Sequence, residues 1–507
     1  MYINGQLVIA KNGGEDIAII PKLANRHGLI AGATGTGKTV TLRNMAESFS
    51  DAGIPVFLAD VKGDLASIVK SHPANFWDIY GQKGLPLRTT VSEMGPTLLA
   101  RLMDLTKTQE DILSIVFKIA DDEGLLLIDT KDLRSMLAYV AENSAEYSNE
   151  YGNMSKASLN VIQRNIVALE EQGADIFFGE PALDIRDWFR TNCDGKGVIN
   201  IMHSESLINN PKMYSTFMLW LLSELFEVLP EAGDLAKPKM IFFFDEAHLL
   251  FNNAPKALLE KIEQVVKLIR SKGVGVYFVT QNPKDIPDGV LGQLGNKIQH
   301  ALRAYTPADQ KAIKAAADSF RINPAFDTKE VIEQLGIGEA LISFLQEDGT
   351  PAMVQRAKVI LPDGVLGPIS DDERKNAILN SEFSVKYSDA VDRDSAYEFL
   401  KRIKVQAEEE AEREKEEAER AKEEKAAELK AQKEAAKAEK EAAAKAAKAE
   451  KARKTAVSNV AKTAGGTIGR ELGNAIGKTV GGSFGKKLGG NVGASIGRGI
   501  LGSLFGK

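Results

Sequence analysis

The octapeptide Gly32-Ala33-Thr34-Gly35-Thr36-Gly37-Lys38-Thr39 constrains this chain more than any other stretch. The residues before it, His27 to Ala31, are mostly apolar, and the run from Val40 (VTLRNMAESF) reads as a helix. The glycines therefore fall on a strand-to-helix turn. Such a turn aims backbone N–H groups and a helix N-terminus at one point, which suits the crowded anionic oxygens of a triphosphate. Gly32, Gly35 and Gly37 permit close approach of the backbone, and Ala33, Thr34, Thr36 and Val40 complete the cradle. Lys38 is placed for the β and γ phosphates, and the Thr39 hydroxyl for Mg²⁺. ATP and Mg²⁺ are the expected cofactors.

Downstream, short β-prone runs alternate with helical patterns, which predicts an α/β fold on a mostly parallel sheet. The candidate strands are His27–Ala31, Pro55–Ala59, Val198–Met202, Met240–Phe244, Gly275–Thr280, Ile298–Arg303 and Ala340–Phe344. Met240–Phe244 ends in Asp245-Glu246, the form of a central strand delivering two carboxylates to a phosphate site. Asp245 is the candidate to hold Mg²⁺ through water, and Glu246 to polarise an attacking water. The plainer reading is an acidic pair at the start of the next helix, where negative charge is favourable anyway.

The following strand ends at Gln281, a polar group positioned to sense a γ-phosphate or simply to begin a loop. Charge developing on that phosphate also favours a nearby arginine, often from a neighbouring subunit, and Arg270 and Arg303 are the candidates. Either can equally be a surface or helix-end charge. Asp60, Lys62 and Asp64 follow the second strand, where they can meet nucleotide or form an ion-paired turn.

A formal charge of −6 on 507 residues excludes nucleic-acid binding by bulk electrostatics, so any DNA contact must be local. The single cysteine, Cys193, excludes a disulfide framework. The five scattered histidines carry no metal-ligand spacing. No apolar signal-like run follows Met1, and the apolar stretch Met213–Leu229 is interrupted by Glu224 and Glu227. The expected location is the cytoplasm.

The length predicts one large domain with appendages. Residues 1–394 are expected to form it, with a helical insertion over about 96–172 where LLARLMDL, DILSIVFKIA and LRSMLAYV each offer an apolar face. Residues 395–454 are almost wholly Ala, Glu, Lys and Arg, predicting a long solvated helix of about 90 Å. In 455–507, glycine recurs every fourth position from Gly469 to Gly497, each preceded by Ile, Leu, Val or Phe. Lys462, Arg470, Lys478 and Lys486 add a basic residue every eight positions. This tail reads either as a disordered glycine-rich segment or as one that orders on a membrane, a nucleic acid, a protein partner or other copies.

The ordered set GATGTGKT, ADVKGDL, FFFDEAH, LIRSKGVGVYFVTQNPKDIP and HALRAYTPADQ resembles the HerA-like branch of the HerA/FtsK superfamily of P-loop motors, from Met1 to about Pro368. The segments MGPTLLARLMDLTKTQEDIL and VIQRNIVALEEQGADIFFGEPALDI are similar to those of the short bacterial HerA-like proteins. The resemblance implies a RecA-like P-loop NTPase core, Mg-dependent ATP hydrolysis, hexameric homo-oligomeric rings with sites shared between subunits, and translocation on double-stranded DNA. By position, Lys38 and Thr39 match the family's P-loop residues, Asp245 and Glu246 its acidic pair, Gln281 its polar sensor and Arg270 its arginine. The roughly 27 residues before the first predicted strand are fewer than the N-terminal barrel with which HerA-type motors dock nucleases, so that partnership does not carry over. The string DEAH also occurs in superfamily 2 helicases, but their later motifs are missing here. Two rival expectations remain: an ATPase that assembles or remodels a protein or envelope complex without acting on DNA, and a nucleotide-gated scaffold with very slow turnover.

Overall fold

The computed structural model describes residues 1–252, 256–364 and 366–457. Thirteen strands run β1 Tyr2–Ile3, β2 Gln6–Asn12, β3 Glu15–Ile19, β4 Gly28–Ala31, β5 Val56–Asp60, β6 Ala74–Asp78, β7 Leu85–Pro86, β8 Ile199–His203, β9 Met240–Phe244, β10 Val274–Thr280, β11 Asn296–Gln299, β12 Glu339–Ser343 and β13 Gln355–Val359. They form one mixed sheet in the order β1-β2-β13-β12-β11-β4-β10-β9-β5-β8-β6-β7, with β3 paired to β2. From β11 through β7 every pairing is parallel, and from β11 to β1 every pairing is antiparallel.

Parallel strands are covered on both faces, so the central ones read as unbroken apolar runs. In β9, Met240, Phe242 and Phe244 enter the core on one face while Ile241 and Phe243 enter the core on the other, all five fully buried. The helix Lys38–Asp51 packs Leu42, Met45, Ala46 and Phe49 on the second face. On the first face lie the helices Val91–Leu102, Lys107–Asp122, Thr130–Glu142 and Lys156–Glu170, whose Leu99, Leu113, Leu137 and Ile162 join Phe57, Trp77 and Phe242 in one core. The first of these helices begins at Val91, with the Thr90 hydroxyl and the Glu93 carboxylate closing a reciprocal cap. Gly95, at φ 73°, breaks that helix just before Pro96.

All seven predicted strands are present, most shifted by one residue. His27 lies outside β4 at φ 57°, its Nδ1 accepting from the Val276 N–H at 3.0 Å. The predicted strand Ile298–Arg303 begins at Asn296 and stops at Gln299, because the chain leaves the sheet at His300. Strands β1–β3, β6, β7 and β13 were not anticipated. β13 (QRAKV) carries mostly polar residues, and β7 is two residues long, so neither has an apolar run to reveal it.

The helix Lys38–Asp51 also carries buried charge. Arg43 is fully buried; its Nε donates to Glu47 Oε1 at 2.7 Å, its Nη1 to Ser67 Oγ at 2.7 Å and its Nη2 to the Asp363 carbonyl at 2.8 Å. Glu47 Oε2 accepts from the Asp363 N–H at 2.6 Å, and Asn44 donates to the carbonyls of Ile9 and Ile360. One helix face thus ties together β2 and the segment that follows β13.

Residues Ala396–Val457 form a single helix, within which the first of two compact units ends at Glu409. Ala396 and Leu400 are buried, whereas the side chains from Lys404 to Lys451 are exposed, which fits their Ala, Glu, Lys and Arg composition. The glycine repeat Gly469–Gly497 lies outside the described residues. Among those described, no helix is long and apolar enough to cross a membrane.

Candidate nucleotide-binding site

Because β4, β10, β9 and β5 are adjacent and parallel, their C-terminal ends open on one edge of the sheet. That edge carries the loop Gly32–Gly37 after β4, Gln281 after β10, Asp245-Glu246 after β9 and Asp60–Asp64 at the end of β5. Four separate sequence segments thereby meet, at the place where ligands of open α/β sheets bind.

Gly32, Gly35 and Gly37 have φ of 156°, 77° and 114°. A Cβ at Gly32 would stand 2.5 Å from the His300 Cβ, so this turn needs glycine for space as well as for conformation. Thr36 Oγ1 donates to the Ala33 carbonyl at 2.7 Å, and Lys38 Nζ donates to the carbonyls of Gly32 and Ala33 at 2.7 and 3.1 Å. The Lys38 ammonium is held across the mouth of the loop, largely buried. Desolvation and then the Lys62 charge lower its pKa, while Glu246 and Asp245 oppose the shift. Thr39 and Val40 occupy the first turn of the helix that follows, both half-buried.

Glu246 is buried and has φ 48°, a left-handed conformation uncommon for a non-glycine residue. Its carboxylate accepts from Gln281 Nε2 at 3.4 Å and lies 3.3 Å from His248 Nδ1 and 3.8 Å from Lys62 Nζ. Asp245 Oδ1 accepts the Glu246 N–H at 2.9 Å, and the Asp245 carbonyl accepts from the buried Tyr214 hydroxyl at 2.6 Å. Desolvation, reinforced by the Glu246 charge, pushes the Asp245 carboxyl up to about 7. Asp60 rises to about 6, from desolvation and then Asp64, although it accepts the N–H groups of Gly63 and Leu65. Two carboxyls of raised pKa and a lysine of lowered pKa share one desolvated edge. The Thr39 hydroxyl and Asp245 carboxylate are hard oxygen donors, the chemistry that fits Mg²⁺.

The two arginines go elsewhere. Arg270 precedes β10 and is exposed at the opposite end of the strands, beside Arg26 and Asp234. Seven residues of β10 separate it from the Gln281 edge, about 23 Å at strand rise. Arg303 lies on the phosphate-loop side of the sheet, but its guanidinium donates to the carbonyls of Glu333 and Leu335, the latter at 3.0 Å, at the end of the helix Thr328–Gln334.

Sequence reading missed Tyr214 and His300. His300 Nδ1 faces the Glu339 carbonyl at 2.9 Å and its Nε2 faces Thr41 Oγ1 at 2.8 Å. Only its position, one residue beyond a strand on the phosphate-loop side, hinted at this, and a lone histidine has no spacing to recognise.

A strand bearing the glycine loop, flanked by β10 and β11, with the acidic pair one strand further on, defines a RecA-like P-loop NTPase core. The chain belongs to the Helicase HerA-like C-terminal family, which it matches over residues 5–72 and 68–489. It is 25% identical over 354 residues to the DNA double-strand break repair helicase HerA of Sulfurisphaera tokodaii, spanning 68% of this chain and 67% of that protein. The protein of the same name from Sulfolobus acidocaldarius is 23% identical over 356 residues, 68% of this chain and 67% of the relative. In fold, the chain is similar to VirB4 of Thermoanaerobacter pseudethanolicus, with a TM-score of 0.52 at 15% identity over 72% of this chain and 98% of that one.

Proposed function

We propose that this chain is an ATP-hydrolysing motor that works as a homo-oligomeric ring, a hexamer, and translocates on double-stranded DNA. The observation that carries the catalytic part is the convergence of Lys38, Asp245, Glu246 and Gln281 on one sheet edge. The relatives named as DNA double-strand break repair helicases support the DNA part.

In this reading the N–H groups from Gly32 to Val40 cradle the phosphates, and Lys38 leaves its two loop carbonyls for the β and γ oxygens. Thr39 and Asp245 would hold Mg²⁺, which would supply charge neutralisation at the phosphates. Glu246 takes the proton of the attacking water, and Gln281, already in contact with it, orients that water. Arg270 is too far along the strands to serve its own site, so it serves the site of the neighbouring subunit. We assign residues 1–394 to the motor, 395–454 to a helical spacer, and 455–507 to a tail that meets a membrane or protein partner.

The first test is steady-state ATPase activity of the full-length protein with and without duplex DNA, at low and then raised salt. Stimulation of several-fold that fades with salt is expected, with Lys38→Ala inactive in both conditions. Basal hydrolysis indifferent to DNA would remove the DNA part and favour an ATPase that remodels a protein complex. The shared site has its own test. Arg270→Ala and Lys38→Ala proteins, each inactive alone, are expected to regain activity when mixed one to one, at roughly a quarter of the subunit junctions. Mixtures as inactive as their components would place the arginine elsewhere.

A further inference from the structure

Beside the phosphate loop stands a second loop that the roles above leave unused: Gly336-Ile337-Gly338, leading into β12. Ile337 is 84% exposed. Single exposed aliphatic residues are ordinary on protein surfaces. What distinguishes Ile337 is its place and the rigidity of its support. The Gly338 N–H donates to the Thr36 carbonyl of the phosphate loop at 3.1 Å, and the Gly338 carbonyl accepts from the Val359 N–H at 2.9 Å. Backbone contact is close enough that a Cβ on Gly37 would lie 3.3 Å from the Gly338 Cα. Glu339 Oε2 accepts from the Gly336 N–H at 2.9 Å and from Arg356 at 2.7 Å. His300, pushed down to about 4 mainly by burial, stays neutral, so its Nδ1–H donates to the Glu339 carbonyl and its Nε2 accepts from the Thr41 hydroxyl.

The direction of a bound triphosphate follows from the strand order. Asp245, Glu246 and Gln281 lie on the β10 and β9 side of β4, whereas His300 and the Gly336–Gly338 loop lie on the β11 and β12 side. A triphosphate whose γ end meets Glu246 and Gln281 leaves the cradle with its nucleoside on the other side, toward Ile337. We propose that Ile337 is the apolar platform for the base and ribose of the bound nucleoside triphosphate, held in register with the phosphates by the Gly338–Thr36 hydrogen bond. This rests on the P-loop reading above. A side chain fixed on a preformed loop meets the nucleoside without a large ordering cost, which turns its exposed area into affinity.

Titration calorimetry on the full chain tests this with two probes, Mg-ADP and Mg-tripolyphosphate. Ile337→Ser is expected to weaken Mg-ADP about tenfold while leaving tripolyphosphate within about twofold of wild type, and Ile337→Leu to restore Mg-ADP binding. Equal weakening of both probes would mean that the loop acts on the phosphates and would overturn the platform. Unchanged binding of both would overturn it as well, with the P-loop reading left standing. Wild-type protein that bound neither probe would bring down the P-loop reading first, and this inference with it.

Discussion

Replacing Glu246 with Gln is expected to lower steady-state ATP hydrolysis about 10²- to 10³-fold while ATP binding persists. Glutamine keeps the shape and the neighbours of the carboxylate but cannot take a proton from water. Binding survives because its donors lie elsewhere, in Lys38 and the loop N–H groups. The electrostatics point the same way. Burial first, and the Glu246 charge second, hold the Asp245 carboxyl up near 7, so removing that charge favours the ionised form of Asp245. Hydrolysis by the malachite-green assay, with binding followed by a fluorescent nucleotide, separates the two effects. Wild-type turnover in the variant would show that water is activated by another group, with His248 and Lys62 the nearest alternatives.

Arg43→Ala is expected to destabilise the fold by about 3–5 kcal/mol, the cost of leaving a buried ionic partner without its cation. The guanidinium bonds Glu47, Ser67 and the Asp363 carbonyl, and Glu47 in turn binds the Asp363 N–H. Its loss takes the bonded cation from Glu47, which is only 2% exposed and is left with the Asp363 N–H and the Ser71 hydroxyl as donors. The double variant Arg43→Met with Glu47→Leu is expected to recover part of the loss, because an apolar pair of similar volume leaves no unpaired buried charge. Urea titration followed by tryptophan fluorescence provides the readout, since Trp77, Trp188 and Trp220 are all buried. A single variant as stable as wild type would mean that water enters to solvate Glu47.

The legibility of this chain follows the length of its apolar runs. Parallel strands such as β9, buried on both faces, are apolar throughout and stand out from the sequence. Among the strands that were not anticipated, β13 alternates buried with solvent-facing residues and carries Arg356 and Lys358, β1 is two exposed residues long, and β2 confines its buried apolar run to Leu7–Ala10 between polar ends. Within the site, the phosphate loop and Asp245-Glu246 are contiguous motifs and were readable. His300, Tyr214 and the Gly336–Gly338 loop reach the same edge from distant segments, and the sequence does not reveal what either Arg270 or Arg303 contacts. The structure separates those two: Arg270 is exposed at the far end, whereas Arg303 is engaged with the end of a helix.

By itself the sequence determined the local chemistry: a glycine turn between strand and helix, two carboxylates after an apolar run, and a solvated helix of Ala, Glu and Lys. Short-range rules suffice there, because conformational preference and side-chain type act over a few residues. Only the tertiary structure decided that β10 lies between β4 and β9, which brings Gln281 to Glu246 and sends Arg270 to the opposite end. It also decided that the loop before β12 closes on the phosphate loop through Gly338 and His300. Those meetings depend on strand order and on backbone hydrogen bonds between segments about 300 residues apart, and no local pattern encodes them.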